Sequence, residues 1–424
     1  MNLQIHPSSI SGRLSIPSSK SQTLRALFFA AFAKSPSVIN HPLICDDSLA
    51  MIECLETLGA KFFDDKESIK VVPTHLNEIQ GPIRLNVKNS GITFRFMTAL
   101  AALIPCVTTI DGDESIRKKR PIASLIKTLQ SLGVEIQFLN PPDHAPIEIR
   151  GGLKNSDCEI RSNDSQPITA LFYLAALSKK DFGINFYDCE EKPWLELSFA
   201  WMKLLNLPAN KTESTFSILK NDGYDGFIYN VPGDLSALAF FVGLSIIHQQ
   251  RFTVDHVDLN DLQPDQSILE IFEQLGGEIA YEHTIHRLVL IPPINPSGFT
   301  FDLEKGIDLL PILATVACFL KSPTHLFNGK IARFKESDRI QSMASELKKM
   351  GAMVEENEDG LKIYPSQLHG ASVRSKSDHR IAMSLIIAAT KASSHSSLSD
   401  FNCIRKTFPD FIKVMQSLNG TLIL

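Results

Sequence analysis

The apolar and polar residues of the chain repeat one pattern six times. In each copy an amphipathic run at helical spacing ends in an apolar residue, glycine or asparagine comes next, and a short strand-like run follows. The residues that end the six runs are Leu58, Leu132, Leu205, Leu275, Met350 and Leu418. They are 74, 73, 70, 75 and 68 residues apart. Because glycine and asparagine adopt the left-handed conformation that closes a helix, each copy predicts a helix that turns back into a strand.

Two of the runs show the apolar face of the predicted helix most clearly. Their apolar residues are Ile122, Leu125, Ile126, Leu129 and Leu132 in one run, and Ile340, Met343, Leu347 and Met350 in the other. A stripe of this kind buries one side of a helix against a core. Six such units divide most simply into two domains of three units. A solenoid is the alternative, although solenoid repeats usually span roughly 20–50 residues.

Four of the predicted helices begin with a good N-cap residue beside a basic residue. The segments are Ser18–Arg25, Asn89–Arg95, Lys335–Arg339 and Ser377–Arg380. Serine, asparagine and aspartate cap helices well, but a cation at a helix start opposes the macrodipole by roughly 0.3–1 kcal/mol. A bound anion reverses that effect, because backbone N–H groups and the cation then both face negative charge.

Each of these segments also has an ordinary explanation. The arginine can extend into solvent, or it can pair with a local carboxylate such as Asp338 or Asp378. Four such segments in one chain favour an anion site. Two further basic clusters, Arg117–Pro121 and Arg405–Asp410, join them, although either one alone is more often a solvated surface.

The chain lacks the motifs of the commonest nucleotide and hydrolase sites. No P-loop, Rossmann glycine fingerprint, H-E-x-x-H or G-x-S-x-G occurs. Recognition of phosphate and carboxylate by arginine and lysine remains, with Asp308, Glu336 and Lys20 as candidate proton-transfer groups. The seven cysteines are scattered and never spaced as C-x-x-C, which argues against a disulfide framework and a structural zinc site.

Length and composition limit the class of protein. The 424 residues exceed the roughly 250–300 at which a single core stops growing, which again indicates two domains. A net charge of −5 gives no general attraction to nucleic acid or anionic membrane, so anion binding must come from local clusters. The N-terminus lacks a signal-peptide pattern, and apolar stretches such as 237–247 are shorter than a membrane span. We expect a cytoplasmic enzyme.

Eight segments occur in the order in which they occur in a known enzyme family. They are Pro17–Ser21 with Arg25–Leu27, Asn89–Gly91 with Arg95, Arg120–Ile122, Ser165–Gln166, Gly233–Asp234, Lys335–Arg339, Asp378–Arg380 and Lys406–Asp410. Together they resemble the 5-enolpyruvylshikimate-3-phosphate (EPSP) synthase family over nearly the whole chain. The resemblance implies an α/β (α+β) fold of two pseudo-threefold domains, each of three βαβαββ units, with the active site in the interdomain cleft. We expect residues 1–18 and 235–424 to form one domain and residues 19–234 the other.

The resemblance also implies a reaction. Members transfer the enolpyruvyl group of phosphoenolpyruvate to the 5-hydroxyl of shikimate 3-phosphate and release phosphate, in the shikimate pathway that leads to chorismate and the aromatic amino acids. The transfer is an addition followed by an elimination, so it needs acid and base groups inside a positively charged site. Glyphosate inhibits the family at the phosphoenolpyruvate site. No metal or cofactor is implied.

Site residues follow from the same resemblance. Asp308 is then the base for the 5-hydroxyl, and Glu336 and Lys20 transfer protons at the enol carbon. The implied ligands of shikimate 3-phosphate are Lys20, Ser21, Arg25, Ser165, Gln166, Asp308 and Lys335. The implied ligands of phosphoenolpyruvate are Lys20, Gly91, Arg120, Gln166, Arg339, Arg380 and Lys406.

The sequence departs from the family pattern at several of these sites. Asp164 and Glu191 stand at positions where the family usually has serines that surround the shikimate phosphate. Trp194 replaces a tyrosine, Ile331 replaces an asparagine found in some members, and Ile92 replaces a threonine. Carboxylates beside a phosphate repel it. Either the local alignment is shifted, or these side chains turn away, or the acceptor differs. Ile92, next to Gly91, predicts weaker inhibition by glyphosate.

Three other functions are less well supported. A related enolpyruvyltransferase with another acceptor, such as the UDP-N-acetylglucosamine enzyme, typically carries a cysteine acid in a mobile loop, and residues 117–120 contain no cysteine. A non-catalytic anion-binding paralogue should have lost Lys20, Asp308 and Glu336. A nucleic-acid module is disfavoured by the net charge. We expect a monomer whose partners are the two small substrates, not a nucleic acid or a membrane.

Overall fold

The computed structural model describes residues 2–140 and 143–423. The chain divides into two compact units: unit 1 contains Met1–Ser18 and Pro232–Leu424, and unit 2 contains Ser19–Val231. From the sequence we expected the second domain to end at Asp234, whereas unit 2 ends three residues earlier, at Val231. Asp234 belongs to unit 1 because it caps the first long helix of that unit, where its side chain accepts from Ala237 N at 2.9 Å.

The strands are short and evenly distributed along the chain. They are β1 (Leu3–His6), β2 (Gly12–Ser15), β3 (Ser37–Asn40), β4 (Lys61–Asp64), β5 (Ser68–Val72), β6 (Ile83–Asn86), β7 (Val107–Asp111), β8 (Glu135–Phe138), β9 (Ile147–Arg150), β10 (Asp157–Arg161), β11 (Phe182–Tyr187), β12 (Ala209–Lys211), β13 (Thr215–Ile218), β14 (Ile228–Asn230), β15 (Phe252–Asp255), β16 (Glu278–Glu282), β17 (Arg287–Ile291), β18 (Thr300–Asp302), β19 (Thr324–Phe327), β20 (Met353–Glu356), β21 (Leu361–Tyr364), β22 (Ser372–Arg374), β23 (Ser396–Ser399) and β24 (Thr421–Ile423).

Helices alternate with these strands. They are α1 (Lys20–Ala30), α2 (Asp46–Thr57), α3 (Gly91–Ala101), α4 (Glu114–Lys119), α5 (Ala123–Ser131), α6 (Ser165–Leu177), α7 (Lys192–Leu204), α8 (Leu235–His248), α9 (Ser267–Gln274), α10 (Leu310–Ala317), α11 (Arg339–Lys349), α12 (His379–Thr390) and α13 (Phe411–Ser417). Every helix in the described part of the chain is too short or too polar to cross a membrane.

The strands of the described residues form six four-stranded sheets with one topology. In unit 1 the orders are β22-β23-β1-β24, β16-β17-β15-β2 and β18-β19-β21-β20, and in unit 2 they are β10-β11-β13-β12, β14-β3-β5-β4 and β6-β7-β9-β8. Each sheet has one parallel pair at an edge and two antiparallel pairs. A parallel pair needs a crossover, which a helix supplies, as α3 does between β6 and β7. The six units, three in each domain, that the family resemblance implied are therefore confirmed.

The six helix ends that marked the repeat in the sequence are also confirmed. Leu58, Leu132, Leu205, Leu275, Met350 and Leu418 are the C-cap residues of α2, α5, α7, α9, α11 and α13. The glycine or asparagine after each of them has a positive φ, from 53° at Asn206 to 102° at Gly59. A left-handed residue there lets the chain reverse at the end of the helix.

The first helix of each repeat lies inside its unit. Every residue of α8 and of α12 is buried in unit 1, and nearly every residue of α3 and of α6 is buried in unit 2. A helix that is apolar on all sides is stable only when other elements surround it. Each unit has its own apolar core, built on these inner helices and on one face of each sheet. The polar beginnings of inner helices therefore stand at the end of an apolar core, which is where the candidate site is found.

Candidate active site

The four helix starts that the sequence singled out are present. Ser19 and Ser90 cap α1 and α3 and accept from Gln22 N and Thr93 N, both at 3.4 Å. Asp338 and Asp378 cap α11 and α12 and accept from Gln341 N at 2.9 Å and Arg380 N at 3.0 Å. None of these four helices has an acidic residue in its first turn. The local sequence thus forms each helix start. At α1 and α3, where the cap is an uncharged serine, it also leaves the start favourable for an anion.

In unit 1, Arg339 is the centre of a cluster of buried charges. Its side chain is 1% exposed and contacts three carboxylates: Nη1 lies 2.5 Å from Asp308 Oδ1, Nη2 lies 2.9 Å from Glu336 Oε2, and Nε lies 2.8 Å from Asp378 Oδ2. Burial disfavours the charged guanidinium, but attraction to the three carboxylates raises the pKa of Arg339 well above its usual value. Arg339 does not extend into solvent. Two of its partners, Asp308 and Glu336, are residues that the sequence assigned to proton transfer, and the third, Asp378, is the N-cap of α12.

Arg380 and Lys406 extend the same cluster. Arg380 Nη2 donates to Asp308 Oδ2 at 2.8 Å, so Asp308 joins the two arginines through its two oxygens. Lys406 Nζ lies 3.5 Å from Glu336 Oε1. Lys335 is buried nearby, and its charge acts on Asp308. Six of the residues that the resemblance implied are thus brought together in unit 1.

Burial alone would raise the pKa of Asp308, because desolvation disfavours a carboxylate. The positive charges of Arg380, Arg339 and Lys335 outweigh burial and lower the pKa of Asp308 to about 2. Asp308 is therefore ionised at neutral pH, and the arginines that hold it are what make it a weak base.

In unit 2, the basic residues at the start of α1 are held in a different way. Lys20 Nζ lies 3.2 Å from Oδ2 of Asp47, which is buried. Arg25 is 3% exposed and donates to neutral oxygens: Nη1 to the backbone oxygen of Ser21 at 3.0 Å, and Nη2 to Ser198 Oγ at 2.9 Å. Because its hydrogen-bond partners there are uncharged, the positive charge of Arg25 remains available to attract an anion.

The start of α3 brings Gly91 and two arginines together. Arg95 Nη1 donates to the backbone oxygen of Gly91 at 3.0 Å, and Arg95 Nη2 donates to that of Pro121 at 3.1 Å. A Cβ atom at Gly91 would lie 2.9 Å from Arg95 Nη1 and 3.7 Å from Arg120 Cζ. The absence of a side chain at Gly91 therefore lets the Arg95 guanidinium approach the beginning of the helix, where the Arg120 guanidinium also lies near.

The start of α6 carries the two carboxylates that depart from the family pattern. Asp164 caps the helix, accepting from Gln166 N at 3.0 Å, and its Oδ2 lies 3.7 Å from Arg95 Nη2. Glu191 is 3% exposed, and its Oε2 accepts from Ser165 N at 3.0 Å and from Ser165 Oγ at 3.2 Å. Gln166 Oε1 is buried and has no hydrogen-bond partner among the described residues. Glu191 does not turn away: it occupies the hydrogen-bond donors of Ser165.

The other departures are apolar or aromatic. Ile331 is buried in the core of unit 1, and Ile92 is partly buried against the core of unit 2. Trp194 is partly buried in the first turn of α7, where its backbone oxygen accepts from Ser198 Oγ at 2.8 Å. Within the described residues, no group of three or more His, Cys, Asp or Glu side chains could hold a metal ion.

Sequence reasoning missed two residues beside the cluster in unit 1: Ser236, which contacts Arg380, and Asp265, which contacts Ser236. Ser236 Oγ accepts from Arg380 Nη2 at 3.1 Å and donates to Asp265 Oδ2. Asp265 is fully buried on a 3-10 turn, Pro264–Gln266. Burial and the charge of Asp308 raise the pKa of Asp265 to about 7. A single aspartate after proline at a helix start has the sequence signature of an ordinary cap, so the pattern offered no signal for this contact.

Comparisons with known proteins agree over the whole chain. The family model described as EPSP synthase (3-phosphoshikimate 1-carboxyvinyltransferase) matches residues 5–415. A relative from Chlamydia caviae named 3-phosphoshikimate 1-carboxyvinyltransferase is 39% identical and covers 100% of this chain and 94% of its own length. The relative of the same name from Chlamydia pneumoniae is 35% identical, with the same coverage.

Solved structures share the fold at lower identity. An EPSP synthase from Acinetobacter baumannii has a TM-score of 0.82 and 22% identity, with both chains fully covered. The enolpyruvyl transferase NikO from Streptomyces tendae has a TM-score of 0.78 and 14% identity and covers 100% of this chain and 98% of its own. At these identities the likeness establishes the two-unit fold. Together with the match over residues 5–415 and the identity to the chlamydial proteins, it shows that the chain belongs to the EPSP synthase family.

Proposed function

We propose that this protein transfers the enolpyruvyl group of phosphoenolpyruvate to the 5-hydroxyl of shikimate 3-phosphate. In the addition, the hydroxyl oxygen bonds to C2 of phosphoenolpyruvate, the hydroxyl loses its proton and C3 gains one. In the elimination, C3 loses a proton, the bond between C2 and the phosphate oxygen breaks, and inorganic phosphate leaves. Membership in the EPSP synthase family supports this reaction.

The observation that carries the proposal is the pairing of Asp308 with Arg339 and Arg380. Two buried guanidinium groups share one carboxylate, and Glu336 contacts one of them from the other side. Such a group can hold the carboxylate or phosphate of phosphoenolpyruvate and also provides two carboxylates that can take or give protons. A site built only to bind an anion does not need either carboxylate, which argues against a non-catalytic paralogue.

We infer that substrate binding makes Asp308 a better base. Its pKa is about 2 while Arg380, Arg339 and Lys335 act on it. An anionic substrate held by the same cations neutralises part of their charge, so the pKa of Asp308 rises towards the range of a useful base. Asp308 then accepts the proton of the 5-hydroxyl. Glu336 and Lys20 transfer protons to and from the enol carbon, and Lys406, next to Glu336, helps to bind phosphoenolpyruvate.

The residues of unit 2 are proposed to hold the anionic groups of both substrates. Lys20 contacts both substrates, and Gly91, Arg120 and Gln166 contact phosphoenolpyruvate. The remaining proposed ligands of shikimate 3-phosphate are Ser21, Arg25 and Ser165, with Lys335 from unit 1. Support comes from the starts of α1, α3 and α6, on which all of these unit 2 residues except Arg120 lie, because the N–H groups of a helix start and nearby cations both favour an anion.

A second candidate acceptor is supported by Glu191. The two hydrogen bonds from Ser165 to Glu191 place a negative charge where a phosphate ligand is proposed. An acceptor with a hydroxyl in place of the phosphate fits that charge better than a dianion does. The acceptor is therefore the part of the proposal to test first.

We further propose that the enzyme works in the cytoplasm as a monomer, without a metal or other cofactor, in the pathway to chorismate and the aromatic amino acids. The reaction moves protons, forms one carbon–oxygen bond and breaks another, and its charged intermediates can be stabilised by arginine and lysine alone. Sedimentation at equilibrium tests the monomer: a mass of 47.1 kDa is expected, and a stable dimer would contradict it.

The decisive experiment measures phosphate release from phosphoenolpyruvate by the purified protein. Release is expected with shikimate 3-phosphate and not with phosphoenolpyruvate alone. Unphosphorylated shikimate is the matched second acceptor. Release with shikimate but not with shikimate 3-phosphate would support the alternative acceptor, and no release with either would refute the proposed reaction.

A further inference from the structure

Asp265 is a buried carboxylate that no step of the proposed reaction uses. It has no exposed surface, and its Oδ1 has no hydrogen-bond partner among the described residues. Its Oδ2 accepts from Ser236 Oγ. Burying an incompletely hydrogen-bonded carboxyl group destabilises a fold, so its presence calls for an explanation.

The local structure holds Asp265 against the beginning of α8. Gln263 binds that helix start on both sides: its Oε1 accepts from Leu235 N at 3.1 Å, and its Nε2 donates to the backbone oxygen of Gly233 at 2.9 Å. The 3-10 turn Pro264–Gln266 follows and directs Asp265 to Ser236 in the first turn of α8. The two hydrogen bonds of the Gln263 side chain therefore hold the turn that carries Asp265 against the helix start that carries Ser236.

Ser236 connects Asp265 to Arg380. Its hydroxyl has one hydrogen, which is donated to Asp265 Oδ2, while its oxygen accepts from Arg380 Nη2 at 3.1 Å. Arg380 Nη2 has two hydrogens, and the other is donated to Asp308 Oδ2 at 2.8 Å. The contact of Arg380 with Asp308 involves a proposed catalytic base whose charge changes during the reaction. The contact of Arg380 with Ser236 involves a serine whose own partner, Asp265, is buried.

We propose that Asp265 is a positioning residue that acts through Ser236 to hold the Arg380 guanidinium in the orientation that binds phosphoenolpyruvate. This inference rests on the proposed function of Arg380. When Asp308 takes up a proton, its hold on Arg380 weakens, and the contact with Ser236 keeps the guanidinium in place. Asp265 makes that contact directional, because it fixes the Ser236 hydrogen and leaves the oxygen lone pair facing Arg380.

Asp265 also makes phosphoenolpyruvate binding depend on pH. The charged groups that face it are Asp308 and Asp234, which favour its protonated form, and Arg380, which favours the ionised form. Burial is the largest influence, and the pKa of Asp265 is raised to about 7. Below that pH Asp265 is neutral, and Arg380 attracts the substrate with its full charge. Above it, a second negative charge lies behind Ser236, and attraction to the substrate weakens.

The first test measures KM for phosphoenolpyruvate in the phosphate-release assay. Asp265→Ala and Ser236→Ala are each expected to raise this KM by about tenfold, as for one hydrogen bond to a charged group, with kcat changed by less than about threefold. The double variant Ser236→Ala/Asp265→Ala should be no worse than either single variant, because both remove the same contact. Glu270→Gln, which removes an exposed carboxylate on α9, is the matched control.

The second test uses Asp265→Asn, which keeps the shape and an oxygen acceptor for Ser236 but cannot ionise. Its KM for phosphoenolpyruvate should match the wild type at pH 6. Between pH 6 and pH 8 the wild-type KM should rise more steeply than that of Asp265→Asn. Titration of the substrate phosphates is common to both proteins, so the difference between them reports Asp265.

Several outcomes would overturn the inference. An unchanged KM for phosphoenolpyruvate in a folded Asp265→Ala, additive effects in the double variant, or parallel pH profiles for wild type and Asp265→Asn would each do so. A crystal structure of Asp265→Ala is a test that needs no turnover: Arg380 is expected to lose its hydrogen bond to Ser236, and an unmoved Arg380 would refute the inference. A wild-type protein that releases no phosphate would refute the proposed function, while the crystal structure would still decide the role of Asp265.

Discussion

The two units repeat one topology, yet the buried arginines Arg339 and Arg380 of unit 1 have different partners from Arg25 of unit 2. In unit 1, Arg339 and Arg380 contact the carboxylates of Asp308, Glu336 and Asp378 within 2.9 Å. In unit 2, Arg25 donates to a backbone oxygen and a serine hydroxyl instead. The same topology therefore supports two environments for a buried arginine: pairing with carboxylates at Arg339 and Arg380, and hydrogen bonds to uncharged oxygens at Arg25, whose positive charge can attract an anion.

The helix caps follow the same division. In unit 1 the caps of α8, α11 and α12 are aspartates, whereas in unit 2 the caps of α1 and α3 are serines. An aspartate at a helix start competes with a bound anion for the same N–H groups, and a serine does not carry that charge. The third inner helix of unit 2, α6, breaks this rule, because Asp164 caps it and Glu191 contacts its first residue. The start of α6 is therefore where the effect of a carboxylate on anion binding in unit 2 can be tested.

The largest expected effect is the loss of turnover when unit 1 loses a proton-transfer group. Asp308→Asn keeps the shape of the side chain and removes its basicity, so kcat should fall roughly 10²–10⁴-fold, and Glu336→Gln should behave alike. Phosphoenolpyruvate binding should be largely retained, which calorimetry can measure. Asp258→Asn, a partly exposed aspartate of the same unit, should keep wild-type turnover. Wild-type kcat in Asp308→Asn would show that the base lies elsewhere.

A second prediction concerns stability. Arg339→Ala leaves three buried or partly buried carboxylates without their common partner and should lower the free energy of unfolding by about 3–5 kcal/mol. Arg287→Ala breaks a partly exposed pair with Asp255 and should cost about 1 kcal/mol or less. Denaturant unfolding of both variants makes the comparison. Equal losses would mean that the network around Arg339 is no more than a set of surface ion pairs.

The third prediction tests the exception at α6. Glu191→Gln removes the negative charge beside Ser165 and should lower KM for shikimate 3-phosphate by about tenfold, because less repulsion opposes the phosphate. Glu196→Gln, in the helix that Glu191 precedes but half-exposed and paired with Lys211, should leave this KM unchanged. A higher KM in Glu191→Gln would mean that Glu191 positions Ser165 for the substrate and does not compete with it.

The smallest expected effect concerns glyphosate. Ile92 is partly buried against the core of unit 2, which limits how far it can displace Gly91. Ile92→Thr should therefore lower the inhibition constant of glyphosate by only about threefold while KM for phosphoenolpyruvate stays the same. Steady-state inhibition of both proteins provides the test. An unchanged inhibition constant would show that the side chain at position 92 has no steric influence on the site.

The repeat and the helix starts could be predicted because they are local. A helix end needs an apolar residue followed by a left-handed one, and Leu58-Gly59 or Leu418-Asn419 supplies both within two positions. The candidate site could be predicted residue by residue only through the family resemblance. Spacing alone gave Asp308, Glu336 and Lys20 as isolated polar residues.

The contacts between these residues could not be predicted, because they join distant parts of the chain. Arg339 meets Asp308 across 31 residues and Asp378 across 39, and Ser236 meets Arg380 across 144. The resemblance placed Glu191 and Ser165 at the same phosphate, but it did not indicate that Glu191 would accept hydrogen bonds from Ser165, which lies 26 residues earlier in the chain. The packing of whole sheets and helices decides which carboxylate pairs with which arginine. No single segment of the sequence specifies that packing.

One steady-state experiment, with shikimate 3-phosphate as the varied substrate, tests most directly the different roles of Asp308 in unit 1 and Arg25 in unit 2. Asp308→Asn and Arg25→Gln are compared with the wild type in the phosphate-release assay. Asp308→Asn should lower kcat with little change in KM, because it removes proton transfer. Arg25→Gln should raise KM with kcat changed by less than about threefold, because it removes a charge that binds substrate and product alike. The reverse pattern, or a loss of kcat of the same size in both variants, would contradict the account.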